Sequence, residues 1–150
     1  YLSEEGVGIT KFNVHDGLGC ILLKEAGIQI LILTARQSKA VVSRFKNLGI
    51  SKIFTNILKK QEFIKNYSNL NNLDKKEIAM MGDDLQDLAT VEEIGYFFTT
   101  PNAIDVVKDR ADYITKRFGG SGAVREICDL IISSKGTCSR LVFERYVKQK

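Results

Sequence analysis

The chain has 150 residues, 44% hydrophobic and 27% charged, and its 22 Lys+Arg outweigh 18 Asp+Glu for a net charge of +4. These proportions suit one globular domain with a substantial core and exclude a disordered chain. The positive balance is too mild and too scattered for nucleic acid, and no apolar stretch approaches the length of a membrane span.

Residues 1–14 read as a β-hairpin, with Ser3-Glu4-Glu5-Gly6 as the turn between Tyr1-Leu2 and a second arm over 8–14. Residues 16–26 follow helical spacing through Leu18, Ile21, Leu22 and Ala26, and Gly27 can take the left-handed closing position. The nearly continuous apolar run 28–34 suggests a strand buried on both faces, as in parallel sheets. Ser38 can cap a helix carrying Val41, Phe45 and Leu48, with Gly49 closing it. The alternation continues with strands at 52–55, 77–81, 96–99 and 112–115 and helices at about 59–69, 84–93, 103–110 and 122–133. Pro101, the single proline, stops one of those strands. Strands alternating with helices give an α/β fold, a Rossmann-like parallel sheet with helices on both faces. Residues 1–136 form one domain, and 137–150 read as a C-terminal tail.

Cys20, Cys128 and Cys138 show no CxxC spacing and an odd count, which fits a reduced, cytoplasmic setting. Cys20 and Cys128 lie within apolar helical patterns, where a free thiol behaves as a small core residue.

Ligands of open α/β sheets bind beyond the carboxyl ends of the strands, so the residues following each strand are the candidates. After 28–34 come Thr34, Ala35, Arg36, Gln37 and Ser38 at a helix start, suited to an anion such as phosphate or, equally, to a plain capped turn. Lys60 begins the next helix, where a cation opposes the dipole and is either functional or simply exposed. After 77–81 come Gly82, Asp83, Asp84 and Asp87. Hard oxygen ligands there suit Mg2+; the alternative is an N-cap followed by a first-turn acid. His15 is the sole histidine, and no Ser-His-Asp, P-loop or GxGxxG pattern occurs.

Read in order, Lys11-Phe12-Asn13-Val14-His15-Asp16-Gly17, Ile32-Leu33-Thr34-Ala35-Arg36, Lys60, Gly82-Asp83-Asp84-Leu85-Gln86-Asp87 and Gly119-Gly120-Ser121-Gly122-Ala123-Val124-Arg125-Glu126 resemble a family. It is that of the haloacid-dehalogenase-type (HAD) phosphatases acting on 3-deoxy-D-manno-octulosonate 8-phosphate. The same module is similar to the C-terminal domain of some CMP-sialate synthetases, where it would be a non-catalytic tetramerisation domain. A phosphatase of another sugar phosphate, such as a sialate 9-phosphate, is a further alternative.

The resemblance implies that Thr34 holds the phosphoryl group through its hydroxyl and that Lys60 neutralises phosphate and nucleophile. It makes Asp83 a Mg2+ ligand, with Asp84 and Asp87 shaping the surrounding shell. Asn13, Val14, His15, Asp16, Gly17, Arg36 and Arg44 match positions that contact the phosphorylated sugar-acid substrate. Residues 13–17 would reach a neighbouring subunit's site in a homotetramer, and Arg125 would hold the C-terminal segment near the site. His15 stands where many members carry Arg, Ile21 replaces a frequent basic contact, and Ser121 replaces the Arg of GGRG, each removing a charge that could grip an anionic sugar. The family's Asp-x-Asp nucleophile motif, on a central strand, has no counterpart in these residues. The expectation is therefore that it lies upstream in a longer protein, and that residues 1–150 alone do not turn over substrate.

Overall fold

The computed structural model describes residues 8–149. The first arm of the expected hairpin and its turn lie outside the described residues. The second arm is not a strand: Gly8 makes an isolated bridge, and the chain enters helix α1 (Val14–Glu25) two residues earlier than expected. The cause is Asn13, whose side-chain oxygen accepts the N–H groups of His15 at 2.8 Å and Asp16 at 3.4 Å. That cap satisfies two of the helix's orphan donors.

The strands are parallel throughout. β1 (Ile32–Leu33) pairs with β2 (Ile53–Phe54), while β3 (Ala79–Met81) pairs with β4 (Tyr96–Thr99) and β4 with β5 (Tyr113–Ile114). Among the described residues β1 and β3 are not paired, so the sheet is split into a two-stranded and a three-stranded part. Between the strands run α2 (Lys39–Asn47), α3 (Lys60–Asn71), α4 (Leu85–Leu88) and α5 (Asp105–Lys108), and α6 (Ala123–Ser134) and α7 (Ser139–Lys148) follow.

Several expected boundaries change for local reasons. The run 28–34 yields only a two-residue strand, because Ile28 and Ile30 pack against the α1–α6–α7 cluster instead of extending a ladder. The helix expected over 84–93 breaks at Thr90, whose hydroxyl donates to the Asp87 carbonyl at 2.6 Å, and resumes as a 3-10 turn over Val91–Glu93. A hydroxyl bonding back to the preceding turn commonly bends a helix. The expected tail is helical: α7 buries Val142 against Leu22, Leu23, Cys128 and Ile132 of α1 and α6.

A second apolar cluster joins the two parts of the sheet. Ile64 of α3, Ile94, Phe97 of β4, Ala103 and Val107 form its centre, and Leu33 of β1 and Met80 of β3 pack onto it. Each fully buried side chain such as Phe97 or Val107 contributes about 1.5–3 kcal/mol relative to exposure. Among the described residues no helix is long and apolar enough to cross a membrane.

Candidate active site

The carboxyl ends of β1, β2 and β3 carry the candidate residues. Thr34 leaves β1 and is anchored on both sides: its N–H donates to the Phe54 carbonyl and its carbonyl accepts from Ile57, each at 3.0 Å. The Thr34 hydroxyl oxygen accepts the Arg36 N–H at 3.1 Å, so its own proton points elsewhere and is available to an anion. The loop from β2 reaches Thr34 through Asn56, which takes the left-handed conformation (φ 60°) that Asn tolerates better than most residues. Ser38 caps α2 by accepting the Val41 N–H at 3.3 Å, as the sequence suggests. Beside it a cavity of about 400 Å3 is lined by Gln37, Ser38, Lys39, Ser43, Lys46 and Thr55.

Lys60 opens α3, and the reason for a cation in that unfavourable place is Asp87. Their side chains form a short ion pair and are only 12% and 8% exposed. The other oxygen of Asp87 accepts the backbone N–H groups of Asp83 at 3.0 Å and Asp84 at 3.3 Å. Room for that carboxylate exists because residue 82 is glycine: a Cβ there would lie 2.2 Å from the Asp87 Cβ. Asp84 caps α4, accepting the Leu85 N–H at 2.7 Å.

The three carboxylates therefore have separate tasks. Asp87 is buried and bound to Lys60, Asp84 closes a helix, and Asp83 stays exposed with its carboxylate making no hydrogen bond or ion pair to a described residue. Among the described residues no group of three His, Cys, Asp or Glu side chains gathers as a metal cage. One free carboxylate beside a lysine is nevertheless compatible with Mg2+, which takes one or two carboxylates and fills the remaining positions with water and phosphate oxygens.

The expected sugar-contact residues form a second group around the start of α1. Val14 and His15 are exposed there. Arg44 of α2 lies over the Phe12 ring at 5.9 Å, and its guanidinium occupies the space where a Cβ on Gly17 would sit. Asp16 is engaged across the fold: its oxygens accept the N–H groups of Arg125 at 2.9 Å and Gly122 at 3.3 Å. Gly122 offers α6 no side-chain cap, so Asp16 supplies the negative group that the helix N-terminus favours. Arg125 donates to both oxygens of Asp129 at 2.9 Å, and Asp129 in turn accepts the Ser139 hydroxyl at the start of α7. Arg125 thus holds the C-terminal segment through Asp129.

Two supporting residues are not among those singled out from the sequence. Thr99 of β4 is fully buried and donates to the Gly82 carbonyl at 2.6 Å, fixing the backbone just before Asp83. Glu126 accepts the Tyr113 hydroxyl at 2.9 Å and the N–H groups of Lys116 and Arg117, organising the loop before α6. Only the polar residues Thr99 and Thr100 closing an apolar strand hint at the first of these.

A parallel α/β sheet whose strand ends present a hydroxyl, an ion-paired lysine and an unengaged carboxylate is an arrangement chemically suited to a phosphoryl group. Residues 51–127 match the family of haloacid dehalogenase-like hydrolases. The chain is 32% identical to 3-deoxy-D-manno-octulosonate 8-phosphate phosphatase KdsC of Escherichia coli K12 over 136 residues, 91% of this chain and 72% of that protein. A HAD-superfamily (subfamily III A) hydrolase of Legionella pneumophila superposes with a TM-score of 0.92 at 35% identity, covering 99% of this chain and 81% of that one. The 3-deoxy-D-manno-octulosonate 8-phosphate phosphatase of Moraxella catarrhalis, solved with magnesium, phosphate and KDO, superposes with a TM-score of 0.85 at 35% identity, covering 99% and 83%. The chain belongs to the haloacid dehalogenase-like hydrolases and is a KdsC-like member of them.

Proposed function

We propose that this chain belongs to a Mg2+-dependent phosphatase that hydrolyses the phosphomonoester of a keto-sugar acid, 3-deoxy-D-manno-octulosonate 8-phosphate being the best candidate. The observation that carries the reading is the exposed, unengaged Asp83 carboxylate beside the Lys60–Asp87 pair, in a chain similar to such phosphatases over nine-tenths of its length. The Thr34 hydroxyl donates to a phosphoryl oxygen while its oxygen is held by Arg36 N–H. Lys60, oriented by Asp87, places an ammonium charge against the charge that develops during transfer, the dominant form of catalysis for this reaction. Asp83, with its backbone pinned by Asp87, holds the Mg2+, which when bound neutralises phosphate charge. His15, Arg36 and Arg44 contact the sugar acid together with Asn13, Val14 and Gly17, and Asp16 keeps that segment in place from α6.

The nucleophile is an aspartate outside residues 1–150, forming an aspartyl-phosphate that water then hydrolyses. What supports this is that Asp16, Asp84 and Asp87 are all committed to structural bonds, and that the edges of β1 and β3 that face away from their partners are unpaired among the described residues. The assembly is a homotetramer in a cytoplasmic setting. Its support is a set of exposed apolar residues near the strand ends and the start of α1: Val14, Leu58, Leu85 and Phe118 are each more than half exposed.

The test is a panel of phosphorylated sugars, including 3-deoxy-D-manno-octulosonate 8-phosphate and a sialate 9-phosphate, assayed on the full-length protein with and without Mg2+. The expected result is a preference for the eight-carbon acid, lost in Asp83→Asn. Mg2+-dependent turnover that survives Asp83→Asn would sink the metal assignment. Full-length protein inert toward every phosphosugar would favour a non-catalytic assembly domain.

A further inference from the structure

The loop that leads into α6 fixes an arginine without using its charge. The Arg117 N–H donates to Glu126 at 3.2 Å, and the Arg117 carbonyl accepts the hydroxyl of the buried Thr115 at 2.7 Å. The side chain then lies against Gly122, where a Cβ would come within 2.9 Å of the Arg117 Cδ and 3.5 Å of its Nη1. Gly122 also takes a left-handed conformation (φ 105°), so glycine serves there for both backbone and space. The Arg117 guanidinium, by contrast, donates to no described residue. The carboxylates bound to this stretch are already occupied, Glu126 by the Tyr113 hydroxyl and two N–H groups, Asp16 by the N–H groups of Gly122 and Arg125. A guanidinium seated on a fixed backbone and left unpaired is a preorganised fork for a carboxylate.

Its location adds to this. Because Asp16 binds the Gly122 N–H, the Arg117 side chain and the start of α1, with Asn13, Val14 and His15, meet on one glycine. On the other side the Gly119 N–H donates to Asn102 at 2.8 Å and the Ile104 N–H to the Asp83 carbonyl at 3.4 Å, which ties the loop to the strand ends. Residues 119–122, Gly-Gly-Ser-Gly, carry no charge of their own, so Arg117 supplies it.

We propose that Arg117 is a specificity-determining residue that takes the carboxylate of the sugar acid, beside Arg36 and Arg44. This rests on the phosphatase reading above, in which Thr34, Lys60 and Mg2+ are engaged with the phosphoryl group and the acid end needs cations of its own. A sugar phosphate without a carboxylate gains nothing from Arg117.

The test is steady-state hydrolysis of 3-deoxy-D-manno-octulosonate 8-phosphate by the full-length protein, with the free sugar acid and its methyl ester as competing inhibitors. In Arg117→Gln the loss is expected in KM rather than kcat, about tenfold, the size of one charged hydrogen-bonded contact. Inhibition by the free acid should weaken in parallel, inhibition by the neutral ester should not, and adding Ser121→Arg should return much of the loss by moving the charge onto the loop. Arg117 is exposed, so the variant is expected to fold. An active wild type with KM unchanged in Arg117→Gln, or with acid and ester weakened equally, overturns the role of Arg117 and leaves the phosphatase reading standing. A wild type inert toward the substrate overturns that reading, and this one with it.

Discussion

Under the proposed function, the buried pair of Lys60 and Asp87 serves stability and chemistry at once. Both side chains are nearly buried, so removing one leaves the other charged and uncompensated. Asp87→Leu is expected to cost about 3–5 kcal/mol in urea unfolding, whereas Lys60→Met combined with Asp87→Leu recovers much of that loss while remaining inactive. Equal stability of the single and double variants would show that the pair is not coupled. Gly82→Ala is the complementary test: its methyl group must displace Asp87, with an expected loss of about 1–3 kcal/mol and of most turnover. At this scale the positions of Thr34, Lys60 and Asp83 after strands were readable from the sequence. It was silent on Thr99, whose bond to the Gly82 carbonyl joins neighbouring strands with no spacing to betray it. The clasp of Asp16 on α6 was equally hidden, because its partners lie more than a hundred positions away.

Among elements, α6 borrows its N-terminal cap from Asp16 of α1 and anchors the loop before it through its own Glu126. Burial disfavours the Glu126 charge, but hydrogen bonds from the Lys116 N–H, the Tyr113 hydroxyl and the Arg117 N–H outweigh it and hold the carboxyl below its ordinary range. A depressed carboxylate contributes stability above its unfolded value and loses it as pH falls through the folded one. Glu126→Gln should therefore be less stable at neutral pH and show a shallower decline in acid, followed by thermal unfolding across that range. Identical acid profiles for wild type and variant would remove Glu126 from the account. Helix α2 was legible through its apolar stripe and Ser38 cap, and α3 through its place after β2. α7 was not, because Leu141, Phe143 and Val147 remain exposed around the single buried Val142 and blur the stripe. The strands were legible in position and, apart from β4 whose bounds match, overestimated in length, since an apolar run reports burial and not ladder pairing; Ile28 and Ile30 pack against helices.

Over the whole molecule, the two parts of the sheet are joined by the cluster around Ile64, onto which Leu33 packs from one side and Met80 from the other. Ile64→Ala should cost about 2–5 kcal/mol and affect both parts together. Native-state hydrogen exchange would reveal this as parallel loss of protection in β1–β2 and β3–β4–β5; loss confined to one part would mean that the parts are held together elsewhere. The parallel α/β architecture was readable from the alternation of strands and helices, and a missing central strand was expected from the resemblance; the pairing shows a split between β1 and β3. That split has a practical consequence in the test tube. Bare strand edges are templates for like strands of other molecules, and β1 and β3 are among the most apolar segments of the chain. Wherever those edges remain uncovered, the protein is expected to self-associate through them, with light scattering that rises with concentration and warming.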